Sequence, residues 1–129
     1  MSDGVASILT ECKRANVRRF VMQSGIGLSD GRELSGPSRF VVRVSRRIFT
    51  AAVIDKTVAE RMTQKTDMEW VIVRPVGLLD KPAKGHYTAG PLARVAVLVP
   101  LSFDDCADCL LCAATDEPNW IGKIVNVGS

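Results

Sequence analysis

The sequence is poor in aromatic side chains: four phenylalanines, two tryptophans and one tyrosine make 5% of its 129 residues. So sparse a set speaks against the stacked-ring platforms that hold single-stranded nucleic acid. A large excess of one sign of charge is lacking as well, with 17 basic and 14 acidic residues. The net charge of +3 leans toward acidic ligands but is no nucleic-acid signature. No apolar run nears the ~20 residues that cross a bilayer, so no membrane association is expected. The opening MSDGVASILTECKR lacks a basic segment followed by an apolar one. No export signal is read there, and a cytoplasmic location is expected. Histidine occurs once, as His86. Four cysteines in a chain read as unexported imply a reducing compartment and free thiols.

What is present suits one soluble domain spanning residues 1–129. Hydrophobic residues make 47% and charged residues 24%, enough for a single modest core. Ser2 or Asp3 is placed to cap a first helix through Val5, Ile8, Leu9 and Cys12. Next, 17-VRRFVMQ-23 reads as a buried strand, and 24-SGIGLSDGRELSGPS-38 as a long loop. Helical spacing follows from about Arg39 to Thr66, with a break placed near Thr50. Its apolar stripe runs through Val44, Ile48, Ala51 and Ala52, then Ile54, Val58 and Met62. A second strand, 69-EWVIVRP-75, stops at its proline. The segment 76–91 is loop with weak strand character, and 93-ARVAVLV-99 reads as a strand. Residues 103–115 form a helix, and 123-KIVNV-127 is the last strand.

Strands that are near-continuous apolar runs and alternate with helices define an α/β fold with an open, mainly parallel sheet flanked by helices. Ligands of such sheets bind beyond the carboxyl ends of the strands. Those ends are Gln23–Gly27 and Arg74–Leu78.

Three segments, RRFVMQSGIG, DKTVAERMTQKTDMEWVIVRPVGLLDKPAKGHYT and LSFDDCADCLLCAATDEPNWIGKIVNVG, occur in the order and spacing of a family. They resemble the later half of atypical short-chain dehydrogenases/reductases, in the NAD(P)H-binding branch that includes flavin reductase/biliverdin reductase B. The resemblance implies a Rossmann-like fold lacking its first βαβ units, and hydride transfer between a nicotinamide and a small-molecule substrate. NADP is favoured over NAD on the same ground. Ser24 matches the family's serine beside the nicotinamide, between Gln23 and Gly25. Lys56 matches the lysine that holds the ribose, while Ala52 stands where other members carry tyrosine. Arg74, Pro75, Val76 and Gly77 match the turn that borders the nicotinamide. Gly85, His86 and Tyr87 match a substrate-side segment, and Ser102–Asp105 match the start of the last major helix.

One departure is large. No G-x-x-G-x-x-G occurs, so the phosphate loop that presents backbone N–H groups to a pyrophosphate is missing. The alternative reading is therefore a non-catalytic dinucleotide-fold domain with a binding or regulatory role, or a truncated product without cofactor binding. An open sheet edge left by missing strands invites self-association.

Each candidate also has a structural reading. Ser24 can simply bond a turn. Lys56 precedes Glu60 by four residues and can form an i,i+4 ion pair worth ~0.3–0.5 kcal/mol. Arg39, Arg43, Arg46 and Arg47 can be a solvated helix face. His86 reads as a surface histidine, and Trp70 and Trp120 as packing residues. Cys106, Cys109 and Cys112 have the spacing of an iron–sulfur run, but the place of a fourth ligand holds Asp116-Glu117. On a helix the core stripe is expected at Phe103, Cys106, Ala107, Leu110, Leu111 and Ala114. That leaves Cys109 on the flank and Cys112 facing away, and no metal site is expected.

Overall fold

The computed structural model describes residues 2–26, 36–48 and 50–129. Most of the loop expected at 24–38, including Gly27, lies outside the described residues, as do the side chain of Arg46 and Phe49 beside the expected break.

Helix α1, Ser2–Arg14, carries Asp3 in its first turn and Lys13 and Arg14 in its last, matching the helix dipole at both ends. It stops where Asn16 turns left-handed at φ 56 and Val17 donates its N–H to the Cys12 carbonyl at 2.9 Å. Strand β1, Arg19–Gln23, follows. Two helical spans, α2 at Gly36–Ile48 and α3 at Thr50–Lys65, lead to β2, Glu69–Pro75. Short strands β3, Leu78–Leu79, and β4, Thr88–Pro91, precede β5, Leu101–Ser102. Helix α4, Phe103–Thr115, and β6, Lys123–Gly128, complete the order.

The main sheet runs β1-β2-β6-β4, while β3 and β5 form a separate parallel ladder. β1, β2 and β6 are parallel, and β4 lies antiparallel to β6. Strand side chains alternate between two cores. Phe20, Met22, Trp70, Ile72 and Ile124 pack with Val5 and Leu9 of α1 and Ala59 of α3. Val21, Val71, Val73, Val125 and Val127 pack with Cys106, Cys109 and Ala113 of α4. Helices thus cover both faces.

Three expectations are corrected. Residues 93–99 are not a strand. Leu92 takes a left-handed φ of 58, Ala93 and Val99 close turns onto Gly90 and Ala96, and Val95 enters the core as a loop residue, 7% exposed. The antiparallel partner of β6 is instead Thr88–Pro91.

The helical stripe expected before β2 faces outward: Val44, Ile48, Ile54 and Val58 are exposed, whereas Val42, Ala59, Glu60 and Thr63 are buried. α4 is rotated in the same sense. Phe103 and Leu111 are exposed at 53% and 63%, Cys109 is fully buried, and Cys112 is half-buried rather than facing away. Small side chains on the buried face let α4 lie close to the valines of the sheet, where phenylalanine would not fit.

Candidate functional site

The carboxyl ends of β1 and β2 lie side by side, with Gln23 opposite Val73. Gln23 is exposed. Ser24 follows at once, its N–H bonded to the Val73 carbonyl at 2.7 Å. Its side chain is buried, and Oγ has no hydrogen-bond partner among the described residues. An unsatisfied buried hydroxyl costs about 1–3 kcal/mol, a deficit that a ligand acceptor or donor would remove.

Gly25 comes next. A Cβ at this position would stand 3.7 Å from Lys56 Nζ, so α3 carries the ammonium to the end of β1. Lys56 is half-buried and makes no ion pair among the described residues. The expected pairing of Lys56 with Glu60 does not form. Glu60 instead grips Arg74 through two bonds, Nη2 to Oε1 at 2.7 Å and Nε to Oε2 at 3.2 Å. The planar guanidinium presents two parallel donors to one carboxylate, which a single ammonium cannot do. Ala52, at the position where the family carries tyrosine, is exposed and supplies no hydroxyl.

The turn after β2 is fixed on both sides. Pro75 is buried, and Val76 donates its N–H to the Val127 carbonyl at 3.1 Å. The carbonyl of exposed Gly77 accepts from the Leu101 N–H at 2.9 Å. The backbone of residues 74–77 is therefore a rigid wall at the strand ends.

The segment carrying His86 and Tyr87 is tied to α4. The Asp105 carboxylate accepts from the N–H of Lys84 at 3.0 Å and of Gly85 at 3.2 Å. Those bonds fit only because Gly85 adopts φ 77, a conformation open to glycine. The Lys84 N–H, with the Ser102 hydroxyl and the Gly85 N–H, holds Asp105 below the usual carboxylate range. Tyr87 donates its hydroxyl to Asp108 Oδ2 at 2.7 Å. Burial, reinforced by that bond, raises the phenol far above its ordinary pKa. His86 is exposed.

Ser24, Gly25 and Lys56 are thus brought together beside the 74–77 turn. Two functional-looking residues escaped sequence reasoning: Glu60 as the clamp on Arg74, and Asp105 as the anchor of the 84–87 loop. Asp105 was visible as part of the S-x-x-D cap. Ser102 Oγ does accept its N–H at 3.0 Å, but the carboxylate reaches across to another loop.

The thiols make no comparable site. Burial pushes Cys109 up to about 12 and raises Cys106 as well. Among the described residues no three histidine, cysteine or acidic side chains are grouped to hold a metal ion, and no described helix is long and apolar enough to cross a membrane.

Comparison with curated protein sequences returned no match. Solved structures do match. A wide-type short-chain dehydrogenase/reductase from Veillonella parvula, in complex with NADP, superposes with a TM-score of 0.80 at 21% identity, covering 99% of this chain and 58% of that one. The anaerobilin reductase ChuY from Escherichia coli gives 0.74 at 21% identity, over 95% and 55% of the two chains. The oxidoreductase ylbE from Lactococcus lactis gives 0.73 at 18% identity, over 98% and 52%. The chain therefore spans little more than half the length of these structures, and they establish its fold as Rossmann-like. The model of the NAD(P)H-binding family matches residues 1–117, and with that span covered the chain belongs to the NAD(P)H-binding family.

Proposed function

We propose that this chain forms the nicotinamide side of an NAD(P)H-dependent reductase. The observation that carries this reading is the placing of Lys56 Nζ over Gly25, next to the buried Ser24 hydroxyl, which has no partner among the described residues. A cation, a free hydroxyl and a residue without a side chain, at the ends of parallel strands, fit a polar ligand with a flat ring and a ribose. Lys56 would hold the ribose hydroxyls. Ser24 would bond a carbonyl on the ligand, with Gln23, Gly25 and the backbone of Arg74, Pro75, Val76 and Gly77 shaping the pocket. His86 and Tyr87 would border the substrate.

The dinucleotide supplies the hydride when bound; the protein orients and polarises. Because Ala52 has no hydroxyl and the Tyr87 phenol is engaged by Asp108, solvent is the proton source in this reading. NADP is favoured over NAD, supported by the NADP held in the Veillonella neighbour. The substrate is a small molecule.

A second reading, a non-catalytic binding or regulatory domain, is favoured by the lack of a G-x-x-G-x-x-G loop. Titration of the 129-residue chain with NADPH separates the two. Binding tighter than about 100 µM, near −5.5 kcal/mol, that is lost in Lys56→Ala supports the reductase. A folded chain that does not bind NADPH refutes it for this chain and leaves the second reading.

A further inference from the structure

Strand side chains alternate between the two faces of the sheet. Phe20, Met22, Trp70 and Ile72 lie on the face covered by α1 and α3. The same alternation puts Arg74 on that face, and with it Ser24, whose N–H still bonds β2. At this end of the sheet α3 supplies Lys56, with Nζ at Gly25, and Glu60 one turn further on. Among the described residues, two cations thus flank one carboxylate. Asp55, the other acid of α3, accepts from the Ser2 N–H of α1 at 3.0 Å.

We infer that Arg74 is a positioning residue: by taking both oxygens of Glu60 it keeps that carboxylate off Lys56 and leaves the ammonium for a ligand at the end of β1. The inference rests on the proposed ligand-binding role of Lys56 and adds what keeps that lysine uncommitted.

Lys56 and Glu60 are four apart on α3, the spacing at which helical ion pairs form. Arg74 wins Glu60 for three reasons. Its planar fork makes two charge-assisted bonds, at 2.7 and 3.2 Å, where an ammonium would make one. The pair is buried, with the arginine side chain 14% and the glutamate side chain 6% exposed, so solvent ions screen it little. Lysine preceding glutamate is also the weaker order for an i,i+4 pair. Half-buried Lys56 keeps access to water and makes no ion pair among the described residues. The three side chains together leave one surplus positive charge, and it belongs to the residue nearest Gly25.

The test is the rate at which N-hydroxysuccinimidyl acetate labels Lys56 in the folded chain, read by mass spectrometry, with folding checked by circular dichroism. Arg74→Lys keeps the charge but offers a single ammonium, so a Glu60 oxygen turns to Lys56 and labelling slows roughly two- to fivefold. Arg74→Met leaves Glu60 no other cation on this face and should slow it at least as much. Arg74→Met combined with Glu60→Gln, which removes both charges together, should label at the parent rate. A merely structural arginine would not slow Lys56 in one variant and release it in the other. Labelling at the parent rate in either folded single variant overturns the inference, as does slowing that persists in the double variant. A parent chain that does not bind NADPH refutes the functional reading alone, because labelling decides the effect of Arg74 on Lys56 without any nucleotide.

Discussion

Glu60 and Arg74 form a two-bond ion pair from α3 to the end of β2, with the glutamate side chain 6% and the arginine side chain 14% exposed. Breaking a buried pair strands the remaining charge, at about 3–5 kcal/mol. We expect Glu60→Ala to lower the unfolding free energy measured by urea titration by about 3 kcal/mol, the low end of that range, since Arg74 keeps some access to water. Replacing both residues by methionine should recover most of the loss. Equal midpoints for the single and double variants would contradict this account.

Lys56 gives the opposite expectation. With no ion pair among the described residues to lose, Lys56→Ala should leave unfolding within about 0.5 kcal/mol of the parent. NADPH affinity, measured by fluorescence titration, should fall. A large stability loss would mean that the lysine is a packing residue.

Of the described glycines, Gly128 has the least room for a side chain. A Cβ there would lie 2.6 Å from Val95 Cβ. Overpacking of this kind typically costs about 1–3 kcal/mol. Gly128→Ala should therefore be destabilising in thermal melts. Adding Val95→Ala should restore part of the loss, because the clash and its relief involve the same atoms.

The acid limb of stability should depend on Asp105. Its carboxyl pKa is lowered in the folded protein, first by the Lys84 N–H. A lowered folded pKa means that the contribution is present above the unfolded value of about 3.9 and disappears as pH falls through the folded one. Unfolding midpoints measured from neutral pH downward should show a shallower acid decline in Asp105→Asn than in the parent. Parallel curves would remove Asp105 from the explanation.

The thiols divide by burial. Cys106 and Cys109 are buried, while Cys12 and Cys112 are half-buried, and the thiolate is the reacting form. Mass spectrometry after brief alkylation of the native chain should find label on Cys12 and Cys112 before the other two. All four should react in denaturant. Early modification of Cys109 would show that α4 opens readily.

The three principal strands were legible because each is a short, largely apolar run, with β2 and β6 buried on both faces and β1 partly so. The limits of α4 were legible too, since Ser102 and Asp105 mark its start. Its buried face was not. Of the stripe expected at Phe103, Cys106, Ala107, Leu110, Leu111 and Ala114, Cys106 is buried and Leu110 packs on the core, but Cys109 and Ala113 take the buried places that the other four were expected to fill. The edge strand Thr88–Pro91 lies in a segment with only weak strand character; its backbone pairing with β6 decides it. ARVAVLV looked more like a strand and is a loop. At the site, the strand ends marked residues 23–27, and the family resemblance singled out Ser24 among them. Lys56 was found through the family resemblance, and the Glu60–Arg74 clamp joins residues with no local pattern between them.

β6 is last in chain order but internal in the sheet, between β2 and β4. Its Asn126 also holds the 92–100 loop, through Nδ2 to the Ala93 carbonyl at 3.2 Å. During synthesis β1 and β2 can meet early, but β4 has nothing to pair with until residues 123–128 leave the ribosome. Strand β4 and the loop that Asn126 holds must then wait for β6. A nascent chain halted before β6 would leave one edge of β2 bare, the edge that β6 covers, and β4 without its partner.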